Sequence, residues 1–200
     1  ALGWQEELWP WERYRAVVMA AVRAAVPVFG GNLPRQHMRQ AQRNPDFDTH
    51  LSPAAWQRQQ TAVREGHCNL LPERLLVPMA RIQLARDQSL ALSALQALQP
   101  ARTVVLVAGF AHVQRQLGIP TWLPPNLEAK VAIAQAGQAQ AAIEKEADEL
   151  YLTPALPAHD ACAELRQQWQ APPAGAGAAM PAADAAAPNA AAPVHAPAAP

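Results

Sequence analysis

The feature that most constrains this chain is residues 103–123, TVVLVAGFAHVQRQLGIPTWL, an apolar β-type run closed by Gly109 with His112 three positions further on. Ligands of an open α/β sheet bind beyond the carboxyl ends of its strands. A strand over residues 103–108 therefore makes His112 the leading candidate for a functional side chain, with Gly109 opening the approach to it.

Around this run the chain alternates helical and extended patterns. Tyr14, Val17, Val18, Ala21, Val22 and Ala25 recur at helical spacing before Pro27, which predicts an amphipathic helix over residues 11–26. Val28 and Phe29 form a short extended run, and Gly30-Gly31-Asn32-Leu33-Pro34 marks a turn. Polar helices are expected over residues 34–43 and 53–65, the second with Ser52 as N-cap and Pro53 at its first position. A long helix should begin near Pro78, or one turn earlier, and end near Leu98. A short helix then runs up to Gly118, whose position suits a left-handed C-terminal cap. Residues 130–134 and 149–153 alternate as strands, and a last helix includes Cys162 and Leu165. The pattern is that of an α/β domain with a mixed or parallel sheet flanked by helices.

The domain is expected to occupy residues 1–170. Residues 171–200 are almost all alanine and proline and have little to bury against the entropy of ordering, so a disordered, partly polyproline tether is expected there. Sixteen basic and sixteen acidic residues cancel, and no basic stripe carries interleaved aromatics, which argues against nucleic acid as a partner. No apolar run approaches the length of a membrane span or resembles a signal peptide. Ala1 is not a methionine and leads straight into a helix pattern, so a fragment or processed product is expected. Two cysteines, Cys68 and Cys162, permit one disulfide or two buried thiols, and the residues leave both open.

Other candidates carry ordinary alternatives. On the long helix a stripe runs through Leu76, Ala80, Gln83, Asp87, Leu90 and Ala94, with Arg86 at its border and Arg74, Arg81, Gln88, Gln96 and Gln99 on the opposite, solvent face. A carboxylate on an apolar stripe needs a partner, and an arginine or His112 can supply it; otherwise the helix is rotated and Asp87 sits at the rim. Asn32 and Arg35 can bind a carboxylate or phosphate-like group, but a turn whose asparagine bonds its own backbone explains them as well. His67 and Cys68 lack further metal ligands at suitable spacing, and His37, His50, His159 and His195 are expected in solvent. Tyr14 and Tyr151 are the only tyrosines and so the only phenolate candidates for a ferric iron, and half-buried packing is the better account of Tyr14. Trp4, Trp9 and Trp11 form an aromatic cluster suited to a core or to a greasy surface.

Taken in order, Trp11 with Tyr14-Arg15, Gly31-Asn32-Leu33-Pro34-Arg35, Gly66-His67-Cys68, Gln83-Leu84-Ala85-Arg86-Asp87, and Ala108 to Val113 continuing to Gly118-Ile119-Pro120 resemble the ChaN family. These are bacterial haem-binding lipoproteins of iron uptake, in a superfamily with the Tiki, TraB and erythromycin-esterase proteins. The resemblance covers roughly residues 4–165. It implies an α/β domain, export to the periplasm or outer membrane through an anchor outside this chain, and haem held at a largely apolar, dimeric surface. It also implies that Cys68 and Cys162 pair, as suits an exported protein.

Related hydrolases use Gly-x-x-His with an upstream glutamate-histidine motif. That motif is expected before Ala1, so the chain resembles the carboxyl-terminal two-thirds of the domain. Ala111 stands where the family commonly has glycine, and Gln114 and Gln116 where it has charges, departures that weaken a catalytic reading more than a binding one. The expectation is a haem-binding protein of bacterial iron uptake, with Arg35 or Arg86 pairing with propionates and His112 or Tyr151 as iron ligand. The alternative is a metal-dependent hydrolase with His112 as ligand or general base and Asp87 and Arg86 shaping the site. A module that binds nothing is the third reading.

Overall fold

The computed structural model describes Trp4, residues 9–157 and residues 160–170; His159, His195 and the expected tail over residues 171–200 lie outside the described residues. In chain order the elements are α1 (Trp11–Arg23), α2 (Arg35–Arg43), α3 (Pro53–Gly66), α4 (Leu76–Ala97), α5 (Phe110–Val113), β1 (Ala132–Ala136), α6 (Ala141–Glu144), β2 (Glu149–Thr153) and α7 (Ala161–Gln170). Short 3-10 turns at Pro45–Thr49, Glu73–Leu75 and Ile119–Trp122 bridge them. The architecture is α/β, predominantly helical, with a small parallel sheet.

The centre of the molecule is α4. Its Ile82 and Leu84 are fully buried, as is Ala80. On one side Leu84 and Ala85 pack with Ala41, Phe47, Leu51, Ala55 and Leu117. On the other Leu76, Met79, Ala80 and Ile82 pack with Val63 and Leu71. Each buried leucine or isoleucine contributes about 1.5–3 kcal/mol relative to exposure, so these two clusters fix α2 and α3 against α4. The cap read at Ser52 is present, its Oγ accepting from the Ala55 N–H at 3.3 Å with Pro53 at the first helical position. α1 ends when Ala25 adopts φ of 54° and the Val26 N–H closes on the Ala21 carbonyl at 2.9 Å, a Schellman-type stop made without glycine.

Several expectations are corrected. Residues 103–108 form no strand: their exposure alternates, but they make no backbone hydrogen bond to another segment among the described residues. A β run without a neighbour has no ladder to join, and Val105 and Val107 stand 81% and 63% exposed. The parallel pair lies instead between β1 and β2, joined through α6 and in register from Ala132 opposite Glu149 to Ala136 opposite Thr153. β1 begins two residues later than its alternation predicts, because the Val131 N–H is taken by the Asp148 carboxylate at 2.7 Å.

Arg81 does not face solvent. Its Nε and Nη2 clasp the Asp48 carboxylate at 2.8 and 2.6 Å, and Nη1 donates to the Gln42 carbonyl at 3.0 Å, tying the Pro45–Thr49 turn to α4. Cys68 and Cys162 are disulfide-bonded with Cα atoms 5.6 Å apart, which fastens α7 to the end of α3.

Candidate functional site

Asp87 lies on the inward face of α4 and is 1% exposed. A carboxylate so placed requires a partner, and it has one in His112, whose Nδ1 lies 2.6 Å from Asp87 Oδ1. The other ring nitrogen, Nε2, makes no hydrogen bond among the described residues, and the His112 side chain is 21% exposed. With Asp87 ionised, Nδ1 carries the proton and donates it, which leaves a lone pair on Nε2 at the surface. Burial is the largest influence on Asp87 and raises its pKa to about 6; the hydrogen bond and charge of His112 and the nearby positive charge of Arg86 pull the other way.

The backbone around His112 is tightly specified. Gly109 immediately precedes α5, and its carbonyl accepts from the His112 N–H at 2.9 Å. Gly109 itself faces open space, with nothing within 4 Å of where a Cβ would stand. The chain then doubles back so closely that a Cβ on Gly118 would lie 2.1 Å from the His112 carbonyl oxygen. Gly118 thus serves close approach rather than the expected left-handed cap, and its φ is −102°. The Thr121 hydroxyl donates to the Gly118 carbonyl at 2.8 Å and accepts from His50 Nε2 at 2.9 Å. His50 also stacks on Trp122 at 3.5 Å, so it is a packed support for this loop and not the solvated residue expected. Its burial lowers its pKa. Beyond the loop, Arg115 pairs with Asp148 at 2.6 Å and its backbone N–H donates to Glu146 at 2.7 Å, linking the site to the β1–β2 unit.

The turn before α2 reaches the same helix. Ser89 Oγ donates to the Gly31 carbonyl at 2.9 Å, and a Cβ on Gly31 would press on Leu90 and Ser93 at 3.2 Å. In the sequence Ser89 carries no signal beyond its position two residues after Asp87. Asn32 accepts from the neighbouring Leu33 N–H at 2.9 Å, the local turn bond that was its ordinary alternative. Arg35 is exposed at the start of α2. Gln83 is half-buried one turn before Asp87, while Arg86 is 4% exposed with Nη2 3.9 Å from Met38 Sδ. Tyr151 stands apart on β2, 56% exposed, with its hydroxyl donating to Glu149 at 2.5 Å. That hydrogen bond and the adjacent negative charge raise its pKa and disfavour the phenolate. Among the described residues no three of His, Cys, Asp and Glu converge to hold a metal ion.

The fold and this geometry define an α/β protein that presents one imidazole, oriented by a buried carboxylate, at the end of an apolar segment. The chain belongs to the ChaN family: its residues 1–123 match the family described as haem-binding uptake, Tiki superfamily, ChaN. No curated protein and no solved structure matches the chain.

Proposed function

We propose that this protein binds haem in iron uptake and that Nε2 of His112 is the iron ligand. The observation that carries this reading is the 2.6 Å bond from His112 Nδ1 to a carboxylate that is 1% exposed. Such a partner fixes the tautomer and ring orientation of a metal-binding imidazole and strengthens its donation. Two features of the same segment support a porphyrin: Gly109, three residues before His112, faces open space, and Val105 and Val107 supply exposed apolar surface. When bound, the haem iron supplies the coordination position that the imidazole fills.

Tyr151 is the weaker choice, because Glu149 opposes the phenolate that a ferric iron requires. Arg86 supports Asp87 from the interior, leaving Arg35 as the propionate partner. Export, with a lipid anchor outside this chain, is part of the proposal; the Cys68–Cys162 disulfide supports an oxidising compartment. So is pairing of two copies over the exposed valines, read by sedimentation with and without hemin.

The test is hemin titration of the purified protein and of His112→Ala. A saturable, shifted Soret band that is lost or blue-shifted in the variant is expected. A parent spectrum equal to that of hemin in buffer rejects haem binding, and an unchanged band in the variant rejects His112 as ligand.

A further inference from the structure

The nine residues of α2, RQHMRQAQR, include three arginines and no acid. Met38 and Ala41 face the core, and Arg35, Arg39 and Arg43 recur every fourth residue on the exposed side. Like charges at this spacing destabilise an isolated helix unless an anion lies between them. Neither Arg39 nor Arg43 forms an ion pair among the described residues. Of the acids next along the chain, Asp48 is already held by Arg81.

These two arginines line a surface depression of about 520 Å³ with Gln36, Gln40, Asn44 and Pro45. No acidic side chain lines it. The amide oxygen of Asn44, which also lines the depression, accepts from the Asp46 N–H at 3.0 Å, so the donors of its NH₂ are what this side chain has left to offer. The wall is therefore rich in donors and carries two positive charges.

We infer that the depression bounded by Arg39 and Arg43 is a binding site for the phosphate group of a phosphomonoester. Two guanidinium forks match the charge of a phosphate dianion, and its oxygens can accept from both forks and from the flanking amides. A single carboxylate offers half the charge and fewer acceptors. The depression is shallow and open, so the group that carries the phosphate would extend from it towards solvent. This site is separate from the Asp87–His112 pair and does not rest on haem binding.

The experiment is calorimetric titration of the whole chain with inorganic phosphate and with glycerol phosphate, at constant ionic strength with chloride as control. Arg39→Gln, Arg43→Gln and the double variant follow. Each exposed arginine lost should weaken phosphate binding about tenfold, the lower end for hydrogen bonds to a charged group, with hemin titration and thermal unfolding unchanged. Sedimentation with phosphatidylcholine vesicles, with and without a lipid carrying a terminal phosphomonoester, separates the sources. Co-sedimentation only with the phosphomonoester lipid identifies a headgroup, and binding of glycerol phosphate without co-sedimentation identifies a soluble ester. Absence of saturable binding by every probe, or equal binding by the double variant, overturns the assignment.

Discussion

Replacing Asp87 with Asn tests whether the buried carboxylate is as unfavourable as its position requires. Its pKa rises from 3.8 to about 6 on folding, with burial as the leading cause. For an acid shifted upward, the unfolded chain releases the proton first. The stability associated with the protonated form is therefore full below pH 3.8 and is lost as pH rises through about 6. Linkage gives a penalty of about 0.6 kcal/mol at pH 4 and about 3 kcal/mol at pH 7. Asparagine has no such dependence. The folded pKa of about 6 already contains the bond to His112, so losing that bond in the variant adds an offset of about 1.5–3 kcal/mol that is the same at every pH and leaves the slope untouched.

Urea unfolding of both proteins at pH 4.5, 5.5, 6.5 and 7.5 is the assay. The stability of the parent relative to Asp87→Asn should fall by about 2 kcal/mol from pH 4.5 to pH 7.5. Titration of His50, whose lowered pKa costs stability as pH falls below 6.5, is common to both proteins and cancels in the difference. Parallel pH profiles would refute the claim that Asp87 titrates in a desolvated environment with a folded pKa near 6.

Asp87→Asn should also weaken hemin binding about 10–100-fold at pH 7.5, as loss of a ligand's orienting partner does elsewhere; equal Soret titrations would show that the bond is structural only. Gly118→Ala forces a Cβ against the His112 carbonyl, 2.1 Å away before relaxation. A loss of about 1–3 kcal/mol in urea unfolding is expected from such overpacking, and a change under about 0.5 kcal/mol would mean that the loop yields freely. Removing the Cys68–Cys162 bond as Cys68→Ala/Cys162→Ala should cost about 2–5 kcal/mol, given the 94-residue separation. Near-identical thermal midpoints for parent and double variant would contradict that figure.

Where a signal was local, the sequence carried it well. Ser52-Pro53 set the start of α3, and β2 occupies the residues 149–153 expected of it. The Cys68–Cys162 pairing followed from family resemblance, since two cysteines alone could not decide it. The apolar run at residues 103–108 misled because propensity describes one segment, whereas a strand needs a second to bond with. Arg81 looked solvent-facing by helical phase, but its partner Asp48 lies 33 residues away on a 3-10 turn. His50 differs from its solvated expectation for the same reason: Thr121, which holds its ring, is 71 residues distant.

Asp87 was the exception among long-range features, because a carboxylate on an apolar stripe demands a partner wherever that partner lies in the chain. The same demand links stability to the proposed ligation. Ionised, Asp87 accepts the Nδ1 proton and leaves the Nε2 lone pair outward; protonated, it can donate to Nδ1 and drive the ring proton to Nε2, where coordination is blocked. The buried charge is therefore least favourable to folding in the pH range where it best prepares the imidazole for iron. A site retaining such a group stores folding energy as ligand orientation, and hemin affinity should fall as pH drops through about 6, the pKa burial gives Asp87. An affinity constant from pH 5 to 7.5, corrected for hemin aggregation, would separate the carboxylate from the proposed coordination chemistry.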